Sequence, residues 1–297
     1  MIRILLYPLS LIPLPVLYFF SDACAFFLYS VIGYRRKVVK ANIDKSFPDL
    51  DEAQRHDIEK KFYHNFCDHF FETLKLLSMS EETLHKHISA DYTELKKAID
   101  ENQSIHVYLG HQFNWEWANA HIASTMKDLN VVVAYKPLRS EIFNDLMFKL
   151  RSRFGSKMVS SRNLKKEMEA FADEKHMLVL VADQNPKVPN RSFWTSFLSQ
   201  PTAFMSGTEL YTASHKTPML FAEIIREARG YYKFVLTPVF DFKAEYKTGI
   251  ITTLFTEKLE STIKSHPENY LWSHRRWKHL YSNEYQRRFL KREALLS

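Results

Sequence analysis

The chain has 297 residues, 45% of them apolar and 25% charged, which is enough to bury a substantial core and unlike a disordered chain or a multi-pass membrane protein. Only 6 glycines stand against 23 phenylalanines and 15 tyrosines, and neither GxGxxG nor a P-loop pattern occurs, which argues against glycine-rich phosphate loops. Two cysteines, Cys24 and Cys67, give no disulfide framework and no zinc spacing, while a formal charge of +7 admits nucleic acid, anionic lipid or an acidic protein as partner.

Position narrows that choice. From Ile4 to Ser21 the chain carries no charge, and Asp22 is the only charge between Ile4 and Arg35. Arg35, Arg36, Lys37 and Lys40 then follow at once. An apolar segment ending in a basic cluster suits a membrane interface with anionic headgroups. Residues 1–34 therefore read as a membrane anchor, either a bent spanning helix or two helices in the interface, with a buried hairpin of a soluble protein as the alternative. Pro8, Pro13, Pro15 and Asp22 oppose a straight span. A cleaved signal is not expected, because the basic run follows the apolar stretch instead of preceding it. The basic balance thus faces lipid rather than nucleic acid.

Residues 35–297 read as one catalytic domain with a basic C-terminal region. A long helix is expected over 52–77, its core stripe formed by Ile58, Phe62, Phe66, Phe70, Leu74 and Leu77. His64, Asp68 and Glu72, with His69 close by, have a spacing that could seat a metal, but the face opposite a core stripe is ordinarily polar and solvated; no metal is expected. A second helix is expected over 91–101. Strands and helices then alternate. Strands are read at 104–110, 129–135, 157–160 and 176–182, with helices at 115–126, 141–154 and 163–173. A helix at 208–214 precedes strands at 218–225 and 231–239, joined through Arg229-Gly230. Helices at 250–265 and from about Asn283 complete the chain. This order predicts an α/β fold, a central and mostly parallel sheet flanked by helices, with chemistry beyond the carboxyl ends of its strands.

His111 follows the first of these strands, and Glu116 comes a little over one helical turn later in HQFNWE (111–116). The imidazole is placed to act as a general base, and Glu116 is expected to bond back to its ring and fix the tautomer. Lys136 and Arg139 follow the second strand, Asp183, Gln184 and Asn185 the fourth, and Arg151 and Arg153 close a helix between them. Cys67 reads as core, and no GxSxG nucleophile elbow occurs.

Seven segments run in order along nearly the whole chain: YRRKVVKANIDKSFP (34–48), HQFNWEW (111–117), YKPLR (135–139), RSRFG (151–155), ADQNP (182–186), FWTSFLSQPTAFMSGTELYTA (193–213) and LWSHRRWK (271–278). With them the chain resembles the lysophospholipid acyltransferase superfamily, and within it the late acyltransferases of lipid A biosynthesis. The resemblance implies an enzyme at the cytoplasmic face of the bacterial inner membrane. It implies transfer of an acyl group from acyl carrier protein, or coenzyme A, to a hydroxyl of a membrane lipid, with no cofactor. His111 and Glu116 would be the family's histidine–acid pair, Asp183 and Gln184 its Asp-Gln element, and Arg153 its arginine two residues before a glycine.

Direct attack by the acceptor hydroxyl needs no covalent acyl-enzyme. Arg153 offers a planar donor fork for an acceptor phosphate or the oxyanion, unless it serves a structural salt bridge. Asn114, Asp183 and Gln184 are expected to organise the pocket. Lys136, Arg139, Arg275 and Arg276 are candidates for contact with a headgroup or the carrier protein, or are simply solvated. Phe193, Trp194, Phe197 and Phe204 are candidates for an acyl groove or membrane entrance, with core filling as the alternative. The acceptor could also be a lyso-aminolipid or another lysolipid. A catalytically silent lipid-binding scaffold is disfavoured by the histidine–acid pair.

Overall fold

The computed structural model describes residues 2–102, 104–243, 245–292 and 295, with the side chains of 2–5 left aside. The last residues of the expected C-terminal region, 293, 294, 296 and 297, lie outside the described residues. The chain opens with two helices, α1 (Ile2–Leu11) and α2 (Leu14–Phe26). Pro13 is extended and breaks them apart, while Pro15 occupies a first-turn position, where a missing N–H costs little. A π-helical turn, Phe27–Ile32, prolongs α2, so Leu14–Ile32 forms a 19-residue apolar rod consistent with membrane association. Leu17, Ser21 and Ala25, four residues apart, are buried, whereas Phe19, Phe20, Phe26, Phe27, Val31 and Ile32 are exposed. One side, which also includes half-buried Leu14, Tyr18, Asp22, Cys24, Leu28 and Tyr29, seats the rod on the protein, and the opposite side stays bare.

Next come α3 (Arg36–Ser46) and α4 (Glu52–Lys75). Asp51 and Gln54 form a reciprocal capping box that fixes the start of α4. The expected core stripe of α4 holds for Ile58, Phe62, Phe66 and Leu77, but Phe70 is 56% exposed. The opposite face differs more. Asp68 and Glu72, expected to be solvated, are buried because α2 docks over them. Ser21 Oγ donates to Asp68 at 2.7 Å and Tyr18 Oη to Glu72 at 2.7 Å.

The remaining elements are α5 (Glu81–His87), β1 (Ile88–Asp91), α6 (Thr93–Glu101), β2 (Ser104–Leu109), α7 (Trp115–Thr125), β3 (Asn130–Tyr135), α8 (Glu141–Ser152), β4 (Lys157–Ser160), α9 (Leu164–Met168) and β5 (His176–Val181). They are followed by β6 (Phe193–Phe197), β7 (Gln200–Phe204), α10 (Ser206–Ser214), β8 (Met219–Ala228), β9 (Tyr231–Phe240) and α11 (Ile250–Ser265). The seven-stranded sheet runs β1-β9-β8-β2-β5-β3-β4, and the β8–β9 hairpin supplies its one antiparallel pairing among the described residues. The predicted mostly parallel α/β sheet is therefore the fold.

Alternation divides the core. Ile105, Val107 and Leu109 of β2, Val131 and Val133 of β3 and Met177 of β5 pack on one face with Leu95, Trp117 and Leu146. Tyr108, Val132, Leu178 and Leu180 point to the other face, toward Phe62, Phe66, Phe255 and Leu259. Both faces are covered, as a parallel sheet requires.

Three stretches depart from the sequence reading. The helix expected over 163–173 shortens to α9 and a 3-10 turn, Glu169–Phe171. The tail after Asn283 is a 3-10 segment, Asn283–Arg288. The aromatic stretch after residue 193 forms the β6–β7 hairpin, in which Phe193, Trp194, Phe197 and Phe204 are buried. They face inward, where Phe197 and Phe204 lie edge to face at 5.3 Å and Trp194 stacks on Tyr285 at 4.8 Å.

Candidate active site

Strand register assembles the site. β2 and β5 are parallel neighbours, with Leu109 opposite Val181, and Ala182 N–H extends the ladder to Leu109 O at 3.1 Å. Two residues further along each strand stand His111 and Asp183. The backbone N–H of His111 donates to Asp183 Oδ2 at 3.0 Å, and its ring Nδ1 lies 2.6 Å from Oδ1. A carboxylate only accepts here, so Nδ1 carries the proton and Nε2 is left as the basic nitrogen. Gly110 keeps this corner tight, since a Cβ there would come 2.5 Å from Leu259 Cδ1 and 3.6 Å from Asp183 Oδ2.

Asp183 is buried, which by itself would raise its carboxyl, but the His111 ring and its N–H bonds bring it down to about 2. Buried Tyr270 and Arg276 stand beside the same carboxylate. On the open side of the ring, the side-chain amide of Gln184 reaches Nε2 at 3.0 Å. His111 keeps 19% of its side chain accessible while Asp183 keeps 3%, so the imidazole is the part of the pair that a substrate can meet.

The expected bond from Glu116 to the His111 ring is replaced by other partners. Asn114 caps α7 by accepting from the N–H groups of Glu116 and Trp117, both at 3.2 Å. Glu116 thus lies in the first turn of α7, where its carboxylate receives Arg151 Nη2 at 2.6 Å, Nε at 2.9 Å and Trp115 Nε1 at 2.9 Å. Burial pushes the Glu116 carboxyl up, yet the Arg151 guanidinium holds it below the usual range. The pair ties the start of α7 to the end of α8, and Trp115 continues the link to His111 with an edge-to-face contact at 5.2 Å.

Arg153, expected at an acceptor phosphate or the oxyanion, donates instead to the carbonyls of Leu76 and Met79 after α4. Arg276, expected at a headgroup or carrier, is buried. It donates to Ala203 O at 2.8 Å and Asn185 Oδ1 at 3.2 Å, with its guanidinium 4.4 Å over Phe204. Arg275 is exposed, as are Lys136 and Arg139 in the loop after β3. Among the described residues no group of three or more His, Cys, Asp or Glu could hold a metal ion. The Asp183 partnership was within reach of the sequence, since both residues follow buried apolar strands, but nothing in composition says that β2 and β5 are neighbours.

A carboxylate-held histidine at the carboxyl ends of parallel strands, in a domain with an apolar N-terminal rod, fits an acyltransferase that works on lipid. A family model for bacterial lipid A biosynthesis acyltransferases matches residues 1–279, and the chain belongs to that family. It is similar to a lipid A biosynthesis palmitoleoyltransferase of Escherichia coli K12, at 20% identity over 270 residues covering 90% of this chain and 86% of the relative. A lipid A biosynthesis acyltransferase of Shigella flexneri matches to the same extent.

Proposed function

We propose that the protein moves a fatty acyl group from an acyl carrier protein thioester to a hydroxyl of a lipid A precursor at the cytoplasmic face of the inner membrane. His111 is the general base and Asp183 its orienting carboxylate. The observation that carries this reading is the 2.6 Å contact from His111 Nδ1 to Asp183, which leaves Nε2 as the proton acceptor. Family membership supports the acyl-transfer chemistry, and the relatives' names support the acceptor class.

In the reaction the acceptor hydroxyl displaces the Gln184 amide from Nε2 and gives up its proton there as its oxygen attacks the thioester carbonyl. The oxyanion collapses, the C–S bond breaks, and the proton on Nε2 passes to the departing thiolate. Asp183 stabilises the imidazolium that exists between the two transfers. Glu116 acts at one remove, by fixing Arg151 and the first turn of α7. A base of this kind contributes about 10²–10⁴-fold in rate.

The test is acyl transfer by the purified, detergent-solubilised protein from labelled acyl carrier protein, with acyl-CoA as a second donor. Tetra-acylated lipid A precursor and a lyso-aminolipid serve as separate acceptors. Transfer to the lipid A precursor, lost in His111→Ala, is the expected result. Transfer to the lyso-aminolipid alone overturns the acceptor, and unchanged transfer by His111→Ala overturns the base.

A further inference from the structure

The two segments that frame His111 continue into a separate cavity. One runs from Gln184 into Asn185, Pro186 and Lys187. The other starts where Leu271 N–H meets His111 O at 3.2 Å and runs on to His274, Arg275, Lys278 and His279. With Arg35 these residues line a space of about 390 Å³. Its wall carries four full cations, Arg35, Lys187, Arg275 and Lys278, and no acid.

Among the described residues none of the four is ion-paired with a carboxylate. The contrast with a second concavity, of about 460 Å³ and bounded by Lys40, Asp44, Glu52, Arg55, His56 and Glu59, is instructive. There Lys40 and Arg55 already pair with Asp44, at 2.8 and 3.1 Å. Cations gathered in a concave wall without counter-charge focus a positive potential that a multivalent anion relieves.

The wall is also built. Arg35 is pinned by a bond from Nη1 to Ser273 O at 2.9 Å, and Asn185 is held between the Arg275 carbonyl and Arg276 Nη1. His279 Nε2 lies 3.2 Å from Pro186 O, joining the two segments. His274 is pushed down to about 4 by burial, so at neutral pH it supplies hydrogen bonding without charge.

Arg35 also tells where the anion comes from. It stands three residues after Ile32, the end of the apolar rod, where headgroups would lie with the rod in a bilayer. We propose that this cavity binds a phosphate monoester on the headgroup of the acceptor lipid and so holds the acceptor with its hydroxyl toward His111. The inference rests on the acyl-transfer reading above, and it moves phosphate recognition from Arg153 to Arg35, Lys187, Arg275 and Lys278. A phosphate on the donor's pantetheine arm is the competing source of the same chemistry.

Binding and turnover separate the alternatives. The full-length His111→Ala protein is titrated with mixed micelles containing the phosphorylated lipid A precursor, or the same lipid after phosphatase treatment. The phosphorylated lipid should bind roughly tenfold to thirtyfold more tightly. That preference should fall to within about twofold once Arg275→Gln and Lys278→Gln are added, and it should shrink with salt. Equal affinity for the two lipids, or a preference that survives both substitutions, overturns the proposal. So does a defect, measured with His111 intact, that raises only the KM for the acyl donor, which assigns the cavity to the pantetheine phosphate. If the wild type acylates neither lipid, the acyl-transfer reading fails, while the micelle titration still decides the cavity.

Discussion

Asn114 Nδ2 donates to Glu72 Oε2 at 2.9 Å, so a carboxylate buried in α4 props the residue that caps α7 just beyond His111. Tyr232 Oη donates to the same oxygen at 2.6 Å, and Trp117 Nε1 bonds the Glu72 carbonyl at 2.8 Å. With Tyr18 on the other carboxylate oxygen, one acid joins the N-terminal rod, α7 and β9.

Glu72 should make stability fall as pH rises. Burial raises its carboxyl to about 7, against bonds from Tyr232 and Tyr18 and the nearby Arg226 that favour the charged form. The folded protein therefore binds this proton more tightly than the unfolded chain does, and the advantage is lost as pH rises toward and through the folded value. His69 and His121, pushed down to about 4 by burial, work in the opposite direction below pH 7. Comparing unfolding free energies of wild type and Glu72→Gln cancels those terms. Wild type should lose about 2–3 kcal/mol relative to the variant between pH 5 and pH 8; a flat difference would show that Glu72 titrates normally.

Asp183 and Glu116 should fail in different ways. Under the proposed mechanism Asp183→Asn should lower kcat by about 10²–10⁴-fold with KM little changed, because His111 loses the partner that fixes its tautomer. Glu116→Ala strands Arg151, which is only a quarter exposed, and should cost about 2–4 kcal/mol of stability. Thermal unfolding and initial rates of both variants check this; a Glu116→Ala protein that is fully stable and inactive would return Glu116 to the chemistry.

The His111–Asp183 pair also sets an acid limit. With its folded pKa lowered to about 2, Asp183 contributes stability that is complete above the unfolded value near 4 and vanishes as pH falls through 2. Urea unfolding of wild type against Asp183→Asn should show a gap on the order of 2 kcal/mol at pH 6 that closes between about pH 4 and pH 2. A gap that persists unchanged to the lowest accessible pH contradicts this.

Arg226 should prove more important to α2 than its place on β8 suggests. Its Nη2 meets buried Asp68 at 2.6 Å, beside Arg229, which bridges Asp68 and Asp22 at 2.6 and 2.7 Å. Arg226→Ala leaves Asp68 partly uncompensated and should cost about 2–3 kcal/mol. Limited proteolysis after the rod, near Gly33, should accelerate in the same variant; unchanged cleavage would mean that the apolar stripe alone holds α2.

The buried parallel strands and the long helices were legible because their apolar patterns are long. His111 stood out by its position after a strand. Its carboxylate partner was misread because spacing along the chain favoured Glu116, whereas strand adjacency, a non-local property, delivers Asp183. The same blindness applied to Asp68 and Glu72: their partners Arg226, Arg229 and Tyr232 lie some 160 residues away, and no periodicity announces them. The β6–β7 hairpin was not legible, because its aromatic content fits a lipid groove and core filling alike; its four aromatic side chains are buried.

The latch between α2 and the β8–β9 hairpin carries a consequence for reach. Asp22 and the Tyr18 carbonyl bond Arg229 in the hairpin, while Tyr18 Oη and Ser21 bond Glu72 and Asp68 of α4, so the rod is tied to the sheet and to α4 at several points. If the proposed reaction runs at a bilayer, the latch makes the protein a depth gauge: the height of His111 above the lipid would follow from how α2 is held, and only a hydroxyl at that height would be acylated.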